Sequence, residues 1–360
     1  MREQGALARG GRSTGAAEPR AGRGGRSARE RVARLERVPK FCRHGTLTER
    51  CPICHATVEA ACTRSAPAAS RHGARTRTQA RPSSRSGLTV RHELRAQDDG
   101  YRTSLAPGLR STQDARQLAE AIAFAAGRLA ALGADPPGLY GQVDAIADIE
   151  EATWLAVLIA YIGPLETEQP FAAIEDARCP WGELPALDAV ETGPRGSLER
   201  GRGEETLSAY RRFADRAGSQ QLAFTADSSW SPQQRFERIY ERLALPGLHR
   251  RARYDLLITL GRLERYALAA PGLLLTEDDP VTLAAKRVFG IGDRLTLERR
   301  ARELARAAAV PVEALDLALE NWAREEPITS GFHGLGARGA SFAQVAEAAL
   351  ESAVAALRCG

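Results

Sequence analysis

The sequence predicts an all-α body, and three observations carry that prediction. Apolar residues recur at spacings of three and four over segments of ten to twenty residues. Glycine and proline punctuate the chain between those segments. Alternating runs of Val, Ile, Thr and Tyr, the pattern of half-buried strands, are nearly absent.

The elements follow in order. Ser111 or Thr112 can cap a first helix that runs to about Leu132, with Leu118, Ile122, Ala125 and Leu129 on one face. Gly133 to Gly138 ends it. A second helix spans about Gln142 to Ile162 and stops at Gly163-Pro164. Its run Trp154 to Ile162 is too short to cross a bilayer, which needs about twenty apolar residues, and reads as a buried helix. Residues 164–203, rich in proline and glycine, form an irregular excursion around Trp181. Further helices are expected at about Glu204–Gly218, Pro232–Leu243, Arg250–Leu268, Val281–Phe289, Leu295–Ala309 and Pro311–Arg324. Beyond Pro327, Gly331 to Gly336 reads as a turn and Phe342 to Leu357 as an amphipathic helix.

Charge divides the chain. The net of +5 combines residues 1–96, with 21 Arg and Lys against 7 Asp and Glu, and residues 97–360, with 29 against 38. A basic tail on an acidic body suits a nucleic-acid-binding arm or an intramolecular electrostatic contact. Lys40 and Lys286 are the only lysines, so the arginine excess also carries the stamp of a GC-rich coding sequence. Met1 is the sole methionine, and Val32 or Val38 are alternative starts. The N-terminus is basic but has no apolar core of a secretory signal, which makes a cytoplasmic location the expectation.

Cys42, His44, Cys51 and Cys54 place four soft ligands within thirteen residues. The Cys51-Pro52-Ile53-Cys54 knuckle lets both sulfurs meet one ion, and three cysteines with one histidine complete a closed tetrahedral zinc shell. His55 is an alternative fourth ligand. With no open position for water, such a site is structural, and so small a module folds only with its metal. It would dock to nucleic acid or protein. The expected organisation is a disordered basic arm over 1–40, a Cys3His zinc knuckle over 41–56, and a disordered basic linker over 57–104. A helical domain over 105–325 and a C-terminal turn and helix over 326–360 follow.

Two helix-connecting runs suit contact with phosphates. The first, Leu245-Pro246-Gly247-Leu248-His249, has a histidine where a second glycine belongs, which favours a plain helix–turn–helix connection. Arg250, Arg251 and Arg253 after it can meet phosphates, while Arg251 and Asp255 are spaced to pair on the helix surface. The second, Val288-Phe289-Gly290-Ile291-Gly292-Asp293, follows Lys286 and Arg287. Its glycines permit a turn with positive φ and close approach to another surface, and the following helix offers unpaired amides to an anion. Asp316 comes twenty-four residues after Gly292.

A hairpin, a helix and then an aspartate resemble the layout of the helix-hairpin-helix DNA glycosylases. The block Asp279 to Asp293, with Asn321-Trp322 downstream, is similar to a bacterial family related to α-glutamyl/putrescinyl thymine pyrophosphorylases. The resemblance covers about residues 105–325. It implies a glycosylase-like helical fold acting on duplex DNA and substitution of a group on a hydroxymethylated pyrimidine. Gly290, Gly292, Lys286 and Arg287 would hold the backbone, and Asp316 would support positive charge at the sugar. A scattered tryptophan would be free to stack an extracted base. The alternative is a non-enzymatic zinc-containing protein whose helical body binds a protein partner, with the knuckle as docking tag.

Remaining chemistry is thin. Asp148, Glu150 and Glu151 either hold a metal or form the acidic first turn of a helix. His249 and His333 have no sequence neighbour to act with.

Overall fold

The computed structural model describes residues 96–225, 227–334 and 339–358, and among them it holds twelve helices and no strand. The basic arm, the four proposed zinc ligands and the linker up to residue 95 lie outside the described residues. No described helix is long and apolar enough to cross a membrane.

Helix α1 (Thr112–Ala134) begins at Ser111, whose hydroxyl accepts from Gln113 N at 3.1 Å. Its expected stripe of Leu118, Ile122, Ala125 and Leu129 is buried, and helices α11 (Ala314–Ala323) and α12 (Ala340–Arg358) pack along it. A Cβ on Gly127 would lie 2.9 Å from the Phe342 carbonyl, so the absence of a side chain there permits the close crossing of α1 and α12. The C-terminal helix is thereby part of the same core. Tyr101 adds a hydroxyl donated to Leu357 O at 2.5 Å.

The single helix expected from 142 to 162 is two: α2 (Leu139–Ala145) and α3 (Ile149–Ile162). Asp148 breaks it by turning its carboxylate back onto the amide of Glu150 at 2.9 Å, a capping bond that competes with helix continuation. Every residue of α3 from Ala152 to Ile162 is buried, which explains its unbroken apolar run.

The excursion after α3 contains one short helix, α4 (Ala172–Ala177), and then returns against the end of α3. Gly193 N donates to Ile162 O at 2.9 Å and Ser197 N to Tyr161 O at 2.7 Å. At Gly196 a Cβ would sit 2.1 Å from Ile162 O, so backbone meets backbone with no room for a side chain.

Helix α5 (Gly203–Ala217) leads to α6 (Gln220–Thr225), which the periodicity did not announce. Its first amides are capped from a distance: Glu150 accepts from Gln220 N at 2.9 Å and Gln221 N at 2.8 Å. Helix α7 (Pro232–Arg242) opens with a reciprocal capping box between Ser231 and Gln234. Helix α8 (Arg250–Arg262) stops six residues before the expected Leu268, because the chain turns back at Glu264, at φ 53°, and lays the Leu268 carbonyl over Gly261. Helices α9 (Pro280–Phe289) and α10 (Arg294–Ala307) complete the body as expected.

Gly196→Ala should therefore lower unfolding stability by about 1–3 kcal/mol, the usual cost of overpacking. Gly133→Ala, in α1 with its nearest atom an ordinary 3.5 Å away, should be neutral or raise stability by about 0.5–1 kcal/mol. Urea unfolding of both variants checks the pair.

Candidate nucleic-acid interface and the buried charge cluster

Asp316 lies in the first turn of α11, and with Glu320 one turn on it faces the returning excursion. Both are buried, at 2% and 1% exposure. Arg195, carried there by the glycine-lined strap, is the hub. Its Nε donates to Asp255 Oδ2 at 2.6 Å and its Nη2 to Asp316 Oδ2 at 2.5 Å, while Nη1 donates to Glu320. The guanidinium thus spends its fork on three carboxylates drawn from α8 and α11, a geometry a lysine could not reproduce.

Arg250 supplies the second cation. Its Nη1 stands 2.5 Å from Asp316 Oδ1, off the line of an N–H, and 3.6 Å from Asp279, the N-cap of α9. Its other nitrogen donates to the Leu273 carbonyl, and its plane lies 4.8 Å above the ring of Tyr254. Arg251 Nη1 donates to Glu320 Oε1 at 2.6 Å and to Pro194 O at 3.0 Å. Seven ionisable side chains from four stretches of chain meet in one interior cluster.

The electrostatics follow from that crowding. Burial works against charge on Arg195, yet Asp255, Glu320 and Asp316 outweigh it and hold the guanidinium pKa well above its ordinary value. Burial likewise opposes ionisation of Asp255, but Arg195 prevails and its pKa falls below the usual aspartate value. At Asp279 burial prevails over Arg250, and the pKa rises.

Several sequence expectations are corrected here. Arg251 and Asp255 do not pair with each other on the α8 surface: Arg251 reaches Glu320, and Asp255 is taken by Arg195. Arg250 and Arg251 serve the interior cluster. The first turn, Leu245 to His249, is docked inward, with Gly247 against Thr206 and His249 N donating to Ser197 Oγ at 3.0 Å. His249 Nε2 lies 3.0 Å from Glu199. Asp148, Glu150 and Glu151 cap α3, α6 and Trp181 N respectively, and no metal-holding group occurs among the described residues.

The second turn is of another kind. Gly290 ends α9 at φ 81°, and Asp293 caps α10 by accepting from Thr296 N at 2.7 Å. Gly292 does not carry a positive φ. A Cβ there would lie 3.3 Å from Thr296. The carbonyls at the end of α9 are closed from two sides: Gly108 N donates to Val288 O at 2.9 Å, and Arg300 to Phe289 O. Lys286 and Arg287 are half-buried on the last turn of α9, with Arg287 5.4 Å over the Trp322 ring, and Arg294 and Arg299 are exposed on α10. Trp322 also lines a cavity of about 290 Å³ beside Phe124 and Arg324. Ile291, at the tip, is 71% exposed, and Leu295 is 75% exposed.

The hairpin residues named from the sequence therefore sit together, and Asp316 sits apart from solvent inside the charge cluster. The hub, Arg195, had no signal in the sequence beyond the glycines around it. Asp293 carries a charged carboxylate, since the Thr296 amide bond lowers its pKa. It occupies the helix-end position an anion would take.

Because Asp316 is held by two buried arginines, Asp316→Asn should destabilise the fold by about 3–5 kcal/mol. Asp279→Asn, which keeps the capping oxygen and removes a charge disfavoured by burial, should cost less than about 1 kcal/mol at neutral pH. Thermal unfolding distinguishes them. A depressed aspartate pKa contributes stability above the unfolded value of about 3.9 and loses it as pH falls through the folded value. Asp255 should therefore give a fall in stability below about pH 4, and that fall should be shallower in Asp255→Asn. Asp279, with its raised pKa, acts in the opposite sense.

Comparison with protein-family models, curated proteins and solved structures finds no match to this chain.

Proposed function

We propose that the protein binds the backbone of duplex DNA through the turn between α9 and α10. One observation carries this reading. Residues 286–306 hold seven arginines and lysines against three acidic residues, in a body whose residues 97–360 are net acidic. That local excess runs from the last turn of α9 along α10, on either side of an exposed turn on which Ile291 points to solvent. Basic side chains neutralising phosphates, with turn amides of Gly290 and Gly292 close to the backbone, provide affinity without reading sequence.

The resemblance to helix-hairpin-helix glycosylases agrees with this placement of Lys286, Arg287, Gly290 and Gly292. Base modification rests on the resemblance alone. Asp316 lies buried between Arg195 and Arg250, an arrangement that suits structural support of the hairpin's neighbours more than chemistry on an extracted base. A zinc knuckle at Cys42, His44, Cys51 and Cys54 would add a second contact on the same chain.

The test is DNA binding by the full chain over a salt series, beside Lys286→Gln/Arg294→Gln. Loss of at least tenfold in affinity, and a salt slope smaller by roughly two, are expected because each phosphate contact contributes about 0.9 to the slope. Equal binding by the two proteins would overturn the turn as the contact, and no binding by either would move the function to the protein-partner alternative. Zinc content of the same preparation, near one equivalent, checks the knuckle.

A further inference from the structure

Folded proteins keep large aliphatic side chains out of water where they can, and a cluster of exceptions marks a contact surface. Five large hydrophobic residues are exposed among the described residues, and three of them, Leu283, Ile291 and Leu295, fall within thirteen positions spanning α9, the turn and α10. Ile291 and Leu295 are the two most exposed of the five. Neither is needed for the fold of the turn. Phe289 and Val288 are fully buried beneath it, and the α9 carbonyls are closed by Gly108 and Arg300.

Phosphates and sugars present little apolar surface to an isoleucine at the tip of the turn. Bases present more. Aliphatic wedges inserted at a base step are a general means of holding nucleic acid at a kink, and their cost is the unstacking of that step. A step already opened by a gap or a mismatch carries no such cost. Charge decides between this occupant and an apolar protein surface. Over residues 286–299 Lys286, Arg287, Arg294 and Arg299 outnumber Asp293 and Glu298, a positive excess that suits a polyanion.

We infer that Ile291 and Leu295 form an apolar prong that inserts at an unstacked base step, so that the preferred ligand is interrupted duplex DNA over intact duplex. This rests on the binding reading above and specifies its ligand.

The experiment compares a continuous duplex with the same duplex carrying a one-nucleotide gap, using the full chain and Ile291→Ser/Leu295→Ser. Both substituted positions are exposed, and circular dichroism confirms that the helices remain. The basic N-terminal segment is present in both proteins, so its contribution cancels in the comparison. The expected result is a preference of about tenfold or more for the gapped duplex in the parent, reflecting the saved unstacking. That preference should vanish in the variant while binding to continuous duplex is kept. Equal affinity of the parent for the two duplexes overturns the prong and leaves backbone binding in place. Equal losses on both duplexes in the variant overturn the prong as well. Absence of binding to either duplex by the parent overturns the binding reading itself.

Discussion

The Arg195 guanidinium is the constraint on which the rest of the body depends. It lies in the interior with Asp255, Asp316 and Glu320 around it, and an arginine so placed tolerates no loss of a partner. Its carboxylates come from α8 and α11, and it is delivered by a strap that only glycines can lay against α3. Arg250 extends the same cluster to the cap of α9 and to the loop before it. The loop from Gly272 to Leu275 is then held from both sides, its carbonyls by Tyr254 and Arg250 and its amides by Glu298. Helices α8 and α11 and the cap of α9 are thus tied together by ions. Burying several charges together is costly in desolvation, and the complementary geometry offsets that cost.

Local physics made most of the helices legible. Ser111, Ser231-Pro232, Asp279-Pro280 and Gly218 stop or start helices by bonds made within a few residues, and the structure places the ends near those signals. Two of the errors share a cause. The early end of α8 and the existence of α6 each depend on chain that folds back or on a residue distant in sequence, such as Leu268 over Gly261 or Glu150 at the first amides of α6, while the break before α3 is a local cap by Asp148 inside an otherwise apolar run. Periodicity carries no record of such returns.

The candidate site divides in the same way. The turn at Gly290 was readable because glycine between helices has a short-range meaning, although Gly292 proved not to need positive φ. Arg195 was not readable, since its partners lie 60, 121 and 125 residues away. Asp316 illustrates the limit of spacing as an argument. Its distance from the hairpin along the chain suggested a reacting group, whereas its neighbours in space are two arginines that hold it inside.

The closure of α9 by Gly108 and Arg300 has a consequence for binding thermodynamics. A turn whose flanking carbonyls are already bonded and whose following helix is capped by Asp293 at the Thr296 amide surrenders its conformational entropy when the protein folds. Little of that entropy remains to be lost at encounter. The turn is preorganised, and under the proposed DNA contact the ordering of its backbone would add little to the cost of binding.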